Sequence, residues 1–534
     1  MIDEKSIYSD PWAARRRVIA MALFVAWLAV VSFLSYTHLV WRDEVRALSA
    51  ALQGDTAWAM VKGLRWEGHP AVWYLLLRTA HGLLPRPEVL LLVSVLVAAA
   101  AVLILVLRSP FSLPILGLLL IARFSVYEYS VVARDYGITM LVLFLFAAVY
   151  ERHRDRDCLP GVLLFLLANC NTPSAILCSG LMVFWFVDIL CRDDVNRARS
   201  MRMFWYNAAL GVAGIAAAFF TIYPTLADGV VADHKPATWK TVLEGIFLPS
   251  LQFMDSYRLP GEDSLSPGLA TALAVIQSLV LFGSTLGLIR RIGAFLAALI
   301  TLVGFSCFFA VVYPGWYRHQ ALWFVFLVSM YWIARPGNAQ AHAVLPARLQ
   351  PLAGRLATVG TALFLVLLLL QAPYSMHQLL EAARSPLAML KSRDNNLRSI
   401  LAGRPELQQA TIVADPDFLL ETLPYYVSNP TYLLHEQRYG DIVHCTLHAK
   451  TELTLGDVLA TAQRLRQDTG KPVLVLLSDE IGQTLPAQEY GDGYGWKLRI
   501  TSDQARVFQA STHLLTHHVA PAKTDEGYYV YVLE

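Results

Sequence analysis

The sequence predicts a polytopic α-helical membrane domain followed by a small soluble α/β domain, and three observations predict it. Hydrophobic residues make up 56% of the chain and charged residues 16%, with a mean hydropathy of +0.46, whereas soluble globular chains carry roughly a quarter charged residues. Apolar runs of membrane-crossing character recur as far as residue 374. Beyond that point the chain turns polar, and its remaining apolar runs have the length of buried strands. The expected division is therefore 1–374 for the membrane domain and 375–534 for the soluble one.

At the N-terminus, Arg15, Arg16 and Arg17 precede an uncharged run from Val18 to Val40. The run is longer than a secretory h-region and lacks a small-residue cleavage site, which makes it an uncleaved span with its N-terminus in the cytoplasm. A helix needs about 20 apolar residues to cross the hydrocarbon core. Eleven spans are expected, near 18–40, 88–107, 112–126, 136–150, 159–170, 174–191, 203–223, 269–289, 293–313, 318–334 and 356–374. The third and fifth are short or broken by polar residues. The charges agree with this count. Arg108, then Arg152, Arg154 and Arg156, then Arg192, Arg197, Arg199 and Arg202, then Arg290 and Arg291, then Arg335, Arg348 and Arg355 all fall on the expected inner side, which is the positive-inside pattern.

The unusual polar residues fall in the expected outer loops. The first begins with Trp41-Arg42-Asp43-Glu44-Val45-Arg46, where two adjacent carboxylates stand at the mouth of a span. An interfacial helix is expected from Asp43 to Gln53, ended by Gly54. The same loop holds Glu67-Gly68-His69-Pro70 and a second interfacial segment, 71–84. Later loops carry Tyr127-Glu128-Tyr129 and Arg134-Asp135-Tyr136, then Asn171-Thr172-Pro173, then Asp233-His234-Lys235 with Asp255, Tyr257 and Arg258, and finally Tyr313 with Trp316-Tyr317-Arg318-His319.

In the C-terminal part, 411–414 reads as a strand running into Asp415-Pro416-Asp417 and a helix. Leu455 to Asp468 reads as a helix, Pro472 to Leu477 as a buried strand, and Tyr528 to Leu533 as a final strand. No Gly-rich phosphate loop follows a strand. The net charge of +2 gives no nucleic-acid signal, and Cys158, Cys170, Cys178, Cys191, Cys307 and Cys445 form no CxxC pair. They read as small core residues rather than as a disulfide framework or metal site.

A carboxylate pair is a common basis for general acid–base chemistry. Taken alone, the Asp43-Glu44 hexapeptide reads as the solvated first turn of a helix lying on the bilayer. Two further features shift that reading. Charges at membrane depth are costly and usually face a site, and Arg134-Asp135 opens one span while Tyr317-Arg318-His319 opens another. Arg318 offers forked donors suited to a phosphate, although Arg and Tyr also anchor spans at the interface. His69 by itself is not a metal site; with Glu67 and Asp43 it leaves a divalent metal open. Together these groups offer a base for an acceptor hydroxyl and cations for a phosphate leaving group, all on the outer face. A polytopic transporter or flippase of lipid-linked sugars is the alternative, but transporters carry ionisable residues at the midplane and commonly show matching halves, and no halves match here. A non-catalytic scaffold would leave Asp43, Arg134 and Arg318 unexplained.

The Asp-Glu pair just after the first span, with a His-Pro in the same loop, resembles the C-type (GT-C) glycosyltransferase superfamily, which includes the protein O-mannosyltransferases and the lipid A aminoarabinose transferases. His69-Pro70-Ala71 stands where those families have a His-Pro-Pro-like stretch, and Arg134-Asp135-Tyr136 is similar to their Arg-x-Tyr-like span opening. The second proline is missing. The soluble part has no Trp-Trp-Asp-like signature, which argues against an oligosaccharyltransferase. The resemblance covers about residues 18–374 and implies a GT-C-like fold in the plasma or inner membrane, with the C-terminal domain extracytoplasmic. It implies inverting transfer of a monosaccharide from a polyprenyl-phosphate donor to a lipid, glycan or protein acceptor. Asp43 would be the base, with Glu44 holding the loop or assisting. Arg134 and Arg318 would bind the donor phosphate with His69 or His319, and Glu67, Asp135, Tyr136 and Tyr317 would bind sugar or acceptor. No cofactor beyond a divalent metal is implied, and membrane lipids, not nucleic acid, are the expected surroundings.

Overall fold

The computed structural model describes residue 10 and residues 15–192, 196–223, 238–253, 266–335, 347–384, 396–444, 446–482, 488–491, 496–518 and 526–534. Asp233, His234, Lys235, Asp255, Tyr257, Arg258 and Cys445 lie outside the described residues.

Each expected span corresponds to a helix. The first ten helices are α1 (Arg16–Thr37), α2 (Arg42–Leu52), α3 (Ala57–Gly63), α4 (Val72–Leu83), α5 (Val89–Arg108), α6 (Leu113–Ile121), α7 (Tyr136–His153), α8 (Leu159–Ala168), α9 (Ser174–Cys191) and α10 (Arg197–Ile222). Further apolar helices follow at Pro267–Thr285, Ile292–Val311, Tyr317–Ile333 and Gln350–Leu369. Seven helices among the described residues are long and apolar enough to cross a membrane. α7 and Tyr317–Ile333 have 18 and 17 residues and carry polar groups at their ends. The third and fifth expected spans are shorter than expected. α6 has 9 residues and α8 has 10, and at 1.5 Å per residue neither exceeds roughly 15 Å, half the hydrocarbon thickness. Beyond α6, the backbone at Ala122 is extended and a π-helical turn follows at Phe124–Glu128. α8 stops at Asn169, whose amide donates to Phe165 O and Gly214 O, both at 2.9 Å.

α8 packs closely against α10. A Cβ on Gly214 would lie 2.7 Å from Phe165 Cα, and one on Gly161 would lie 2.8 Å from Asn207 Cα. Small residues allow backbones this near, and polar side chains then tie the helices together; Gly161 N donates to Asn207 Oδ1 at 2.6 Å. Tyr317–Ile333 is buried along almost its whole length, which marks it as the central helix of the bundle. It packs against α7 and Ile292–Val311, so the residues that open it and those that open α7 come together at one end.

The opposite end is closed by an ion cluster. Asp188 of α9 is fully buried and accepts from Arg291 Nε at 2.8 Å and Nη2 at 3.1 Å and from the Tyr150 hydroxyl at 3.1 Å. Arg291 also donates to Glu151 Oε1 at 2.7 Å and to Ile333 O at 2.5 Å, and Arg154 stands 3.4 Å from Asp188. Four helices are thereby joined at their ends.

The C-terminal part is built on a six-stranded sheet, ordered β3-β2-β1-β5-β9-β8. Its strands are β1 (Thr411–Asp415), β2 (Thr431–Leu433), β3 (Arg438–Tyr439), β5 (Val473–Leu477), β8 (His513–His518) and β9 (Tyr528–Leu533). β1 is parallel to both β2 and β5, and the other pairs are antiparallel. A three-stranded sheet adds β4 (Glu452–Thr454), β6 (Gln488–Gly491) and β7 (Lys497–Ile500). The expected strands are present, and so is the helix Leu455–Thr469, which is capped by Thr454 and stopped by Gly470 at φ 65°. The helix expected after Asp417 is a 3-10 run, Asp417–Tyr425, with Pro424 inside it. Asp417 turns back to accept from Leu434 N at 2.6 Å and His435 N at 2.9 Å, which bolts this run to the end of β2.

Removing one partner of a buried ion network leaves the others uncompensated, at a cost of about 3–5 kcal/mol. Asp188→Ala is therefore expected to lower the thermal midpoint of the detergent-solubilised protein markedly, and Asp188→Asn, which retains an acceptor for Tyr150, to lower it less. An unchanged midpoint in Asp188→Ala would mean that the arginines find other partners.

Candidate active site

The site starts at the joint between α1 and α2. α1 ends at Thr37, and Trp41 is extended, at φ −111° and ψ 171°, just before α2. Glu44, in the first turn of α2, folds back. Its Oε2 accepts from Trp41 N at 3.1 Å and lies 2.8 Å from His38 Nε2, and its Oε1 accepts from Ala133 N at 2.6 Å. The carboxylate is fully buried. It points away from solvent and ties α2 to the chain entering α7. His38 is itself oriented by the Tyr127 hydroxyl, 3.2 Å from its Nδ1.

With Ala133 fixed, Arg134 reaches across to α2. Its Nη1 donates to the Asp43 carbonyl at 2.5 Å, and its Nη2 lies 3.1 Å from His69 Nε2. A guanidinium only donates, so His69 Nε2 accepts and the ring proton sits on Nδ1, which faces Asp135 Oδ2 at 2.9 Å. His69 therefore orients Arg134, and the Asp135 carboxylate stands beside the ring without a hydrogen bond to it. Burial works against the Arg134 charge, but Asp43, Tyr136 and Asp135 outweigh it and keep the group a cation.

Arg318 approaches from the central helix. Its Nη2 lies 3.8 Å from Asp43 Oδ2, and its guanidinium sits 4.4 Å over the Trp41 ring. Its carbonyl accepts from the Tyr129 hydroxyl at 2.6 Å. His319, the next residue, accepts at Nδ1 from Trp316 N at 3.0 Å, so its proton is on Nε2. Its ring stands edge-on to Tyr136 and Tyr313, with 5.4 Å between centroids in each case. Tyr136 also meets His69 at 6.5 Å. These rings form one aromatic wall beside Asp43. The Tyr136 hydroxyl is buried in it with no hydrogen-bond partner among the described residues.

Asp43 itself is accessible, with 30% of its side chain exposed. Partial removal from water would raise its pKa, but Arg134, Arg318, Arg42 and Arg46 together overcome this and hold the carboxyl at about 2. The surroundings are thus cationic and suit an anion. They do not suit a divalent metal. His69 is engaged by Arg134 and Asp135 and Glu67 by Arg46, and among the described residues no group of three or more His, Cys, Asp or Glu converges.

Asp43, Arg134, Arg318, His69, Asp135, Tyr136 and His319 therefore gather, with Glu44 behind them. Two of the residues singled out in the sequence do not join them. Glu67 forks onto Arg46, from Nε at 3.1 Å and Nη2 at 2.9 Å. Tyr317 turns the other way, with its hydroxyl on Gln371 and its ring 3.7 Å from the Arg123 guanidinium. Sequence reasoning assigned no role to His38, Tyr313 or the Trp41 ring. Trp41 stood in the motif, but only the fold shows which cation covers it.

The C-terminal part lies on α2. Arg42 N donates to Glu526 Oε1 at 2.7 Å, the Arg42 guanidinium sits 4.4 Å over Phe418, Tyr426 donates to Val40 O at 3.3 Å, and Arg46 Nη1 binds Glu421. A cleft of about 960 Å³ opens along this seam, with Tyr36, Arg86, Arg398 and Tyr425 among its walls. A second of about 310 Å³ runs under Val45, Leu48 and Leu52 and shares Pro87, Pro424 and Tyr425 with the first. Neither contains Asp43, because at 100° per residue Val45 and Asp43 face opposite ways on α2.

Each buried donor left without a partner costs about 1–3 kcal/mol. Glu44→Ala strands Trp41 N, Ala133 N and His38, so a loss of about 3 kcal/mol or more is expected, with a smaller loss for Glu44→Gln. Thermal unfolding in detergent checks both, and equal midpoints for wild type and Glu44→Ala would refute the structural role.

No family model and no curated protein matches the chain. Among solved structures, the crystal structure of ArnT from Cupriavidus metallidurans in the apo state matches over 96% of this chain and 97% of that one, at 15% identity and a TM-score of 0.47. At this level of similarity it carries no residue role and no substrate to this chain.

Proposed function

We propose that the protein is an integral-membrane glycosyltransferase of the GT-C type. It would move a monosaccharide from a polyprenyl-phosphate donor to an acceptor hydroxyl by inverting displacement, with Asp43 as the base. The observation that carries this reading is the accessible Asp43, whose carbonyl accepts from Arg134 and whose carboxylate lies 3.8 Å from Arg318. The site faces outward on this reading, with the N-terminus cytoplasmic and residues 375–534 extracytoplasmic.

In the transfer step the acceptor oxygen attacks the anomeric carbon while its proton passes to Asp43. The bond from that carbon to the phosphate oxygen breaks, and the electron pair leaves with the polyprenyl phosphate. Charge grows on the phosphate as the bond breaks, and Arg134 and Arg318 are already in place to meet it. Preorganised donors of this kind contribute most where water is excluded. His69 holds Arg134, and the Trp41 ring holds Arg318. The aromatic wall offers the sugar a flat face.

Electrostatics links donor binding to catalysis. With the donor absent, the arginines hold Asp43 at about 2, which makes it a weak base. A phosphate on Arg134 and Arg318 neutralises the field that lowers the pKa and leaves the partial removal from water that raises it. Asp43 becomes more basic only once the donor is bound.

Two outcomes are expected. Asp43→Asn should lower release of polyprenyl phosphate in the presence of acceptor by about 10²–10⁴-fold with donor binding retained, as followed by mass spectrometry on a panel of short-chain polyprenyl-phosphate sugars. Release by neither protein from any intact donor would defeat the transferase reading, and transport in proteoliposomes would be measured next. The second concerns pH. The profile of kcat/KM reports the free enzyme and that of kcat the bound complex. Activity needs ionised Asp43, so kcat should fall on acidification at a higher pH than kcat/KM does. Coincident acid limbs would contradict the linkage.

A further inference from the structure

We propose that the C-terminal part belongs to the transfer site and holds Asp43 in place through a carboxylate–guanidinium–carboxylate clasp, Glu67–Arg46–Glu421, in which Glu421 is a positioning residue. The inference rests on the reading of Asp43 as the base, and it assigns a role to a part of the chain with no catalytic motif of its own.

Arg46 lies three residues after Asp43 on α2, so the two side chains leave neighbouring points of one helix face. Its Nε and Nη2 fork onto Glu67 of the same loop, and Nη1 reaches Glu421 across the seam. Both carboxylate side chains are buried, with 5% and 4% exposure. Two carboxylates on one guanidinium are more than charge neutrality requires, and burying the surplus costs free energy. Nor does α2 need the clasp to form, since Glu44 already caps it. What the arrangement adds is location: it fixes α2 against two separate bodies.

The far end of the clasp is firmly anchored. Glu421 also accepts from Val443 N at 2.9 Å. It belongs to the 3-10 run that leaves the end of β1, and Asp417 pins that run to the chain after β2. Phe418, on the same run, lies under Arg42. A continuous rigid path thus leads from the parallel strands through the run to the first turn of α2, where the Asp43 carbonyl meets Arg134 and its carboxylate faces Arg318. A shift of about 1 Å in a reacting group costs on the order of 10²-fold in rate, so fixing this turn matters for the step.

The test uses the full chain in lipid nanodiscs, with Glu421→Gln and Arg46→Lys. Gln keeps an acceptor for Val443 N and loses the charge; Lys keeps the charge and loses the fork. Hydrogen exchange and steady-state kinetics with a donor that wild type consumes are read together. Both variants should exchange about tenfold faster in 42–52 with 411–477 still protected. Their kcat should fall about tenfold or more with donor KM within about twofold, and the double variant should be no worse than the more severe single one. Unchanged exchange in 42–52, unchanged kcat, or loss of protection throughout 411–477 would each overturn the proposal. If wild type consumes no donor, the transferase reading fails, and the exchange in 42–52 still decides whether the clasp holds α2.

Discussion

Glu44 is fully buried, yet its carboxylate is shared among His38, the Trp41 amide and the Ala133 amide. A carboxylate removed from water is costly unless hydrogen bonds replace its hydration, and three donors do so here. Those donors come from the end of α1, the start of α2 and the approach to α7. The need to satisfy one buried charge therefore decides how three segments meet. Arg134 follows Ala133 directly, so satisfying Glu44 also delivers a guanidinium to Asp43. Two like charges side by side in sequence end up in opposite surroundings, one locked among donors and the other left accessible among cations.

The cations around Asp43 differ in how far they are already committed. Arg46 is gripped by two carboxylates, whereas Arg42, like Arg318, lies 4.4 Å over a ring and 3.8 Å from an Asp43 carboxylate oxygen. Arg134 spends one nitrogen on a neutral carbonyl and faces a neutral histidine with another, and Arg318 rests on a ring and stands 3.8 Å from Asp43. An incoming phosphate thus meets positive charge that the protein has oriented but not neutralised, which is the condition under which such groups act strongly on a developing charge.

Much of this was legible in the sequence. The helices of the bundle announced themselves by long apolar runs, because lipid leaves a backbone few ways to satisfy its polar groups. The strands at 411–415 and 473–477 were legible because buried parallel strands are apolar on both faces. Asp43, Arg134 and Arg318 could be named because charge at the mouth of a span is unusual, and His69 because it precedes Pro70 in the same loop as Asp43. The half-length of α6 and α8 could not be read, since an apolar run does not say where its helix ends; Asn169 closes α8 only because Gly214 of another helix lies within its reach. The side-chain directions of Glu67 and Tyr317 were equally hidden. Both are polar residues near a site, and which partner each takes depends on Arg46 and Gln371, distant in sequence or on another turn.

On the proposed reading, the same charges also order the events of transfer. An acceptor hydroxyl reaching an empty site finds a carboxylate whose basicity is suppressed by four guanidiniums, and it keeps its proton. A donor phosphate would satisfy two of these, Arg134 and Arg318. Its arrival both supplies the leaving group and restores the base that the acceptor needs. The excess of arginine around a single aspartate is thus consistent with a site that stays inactive toward hydroxyls until the sugar is in place.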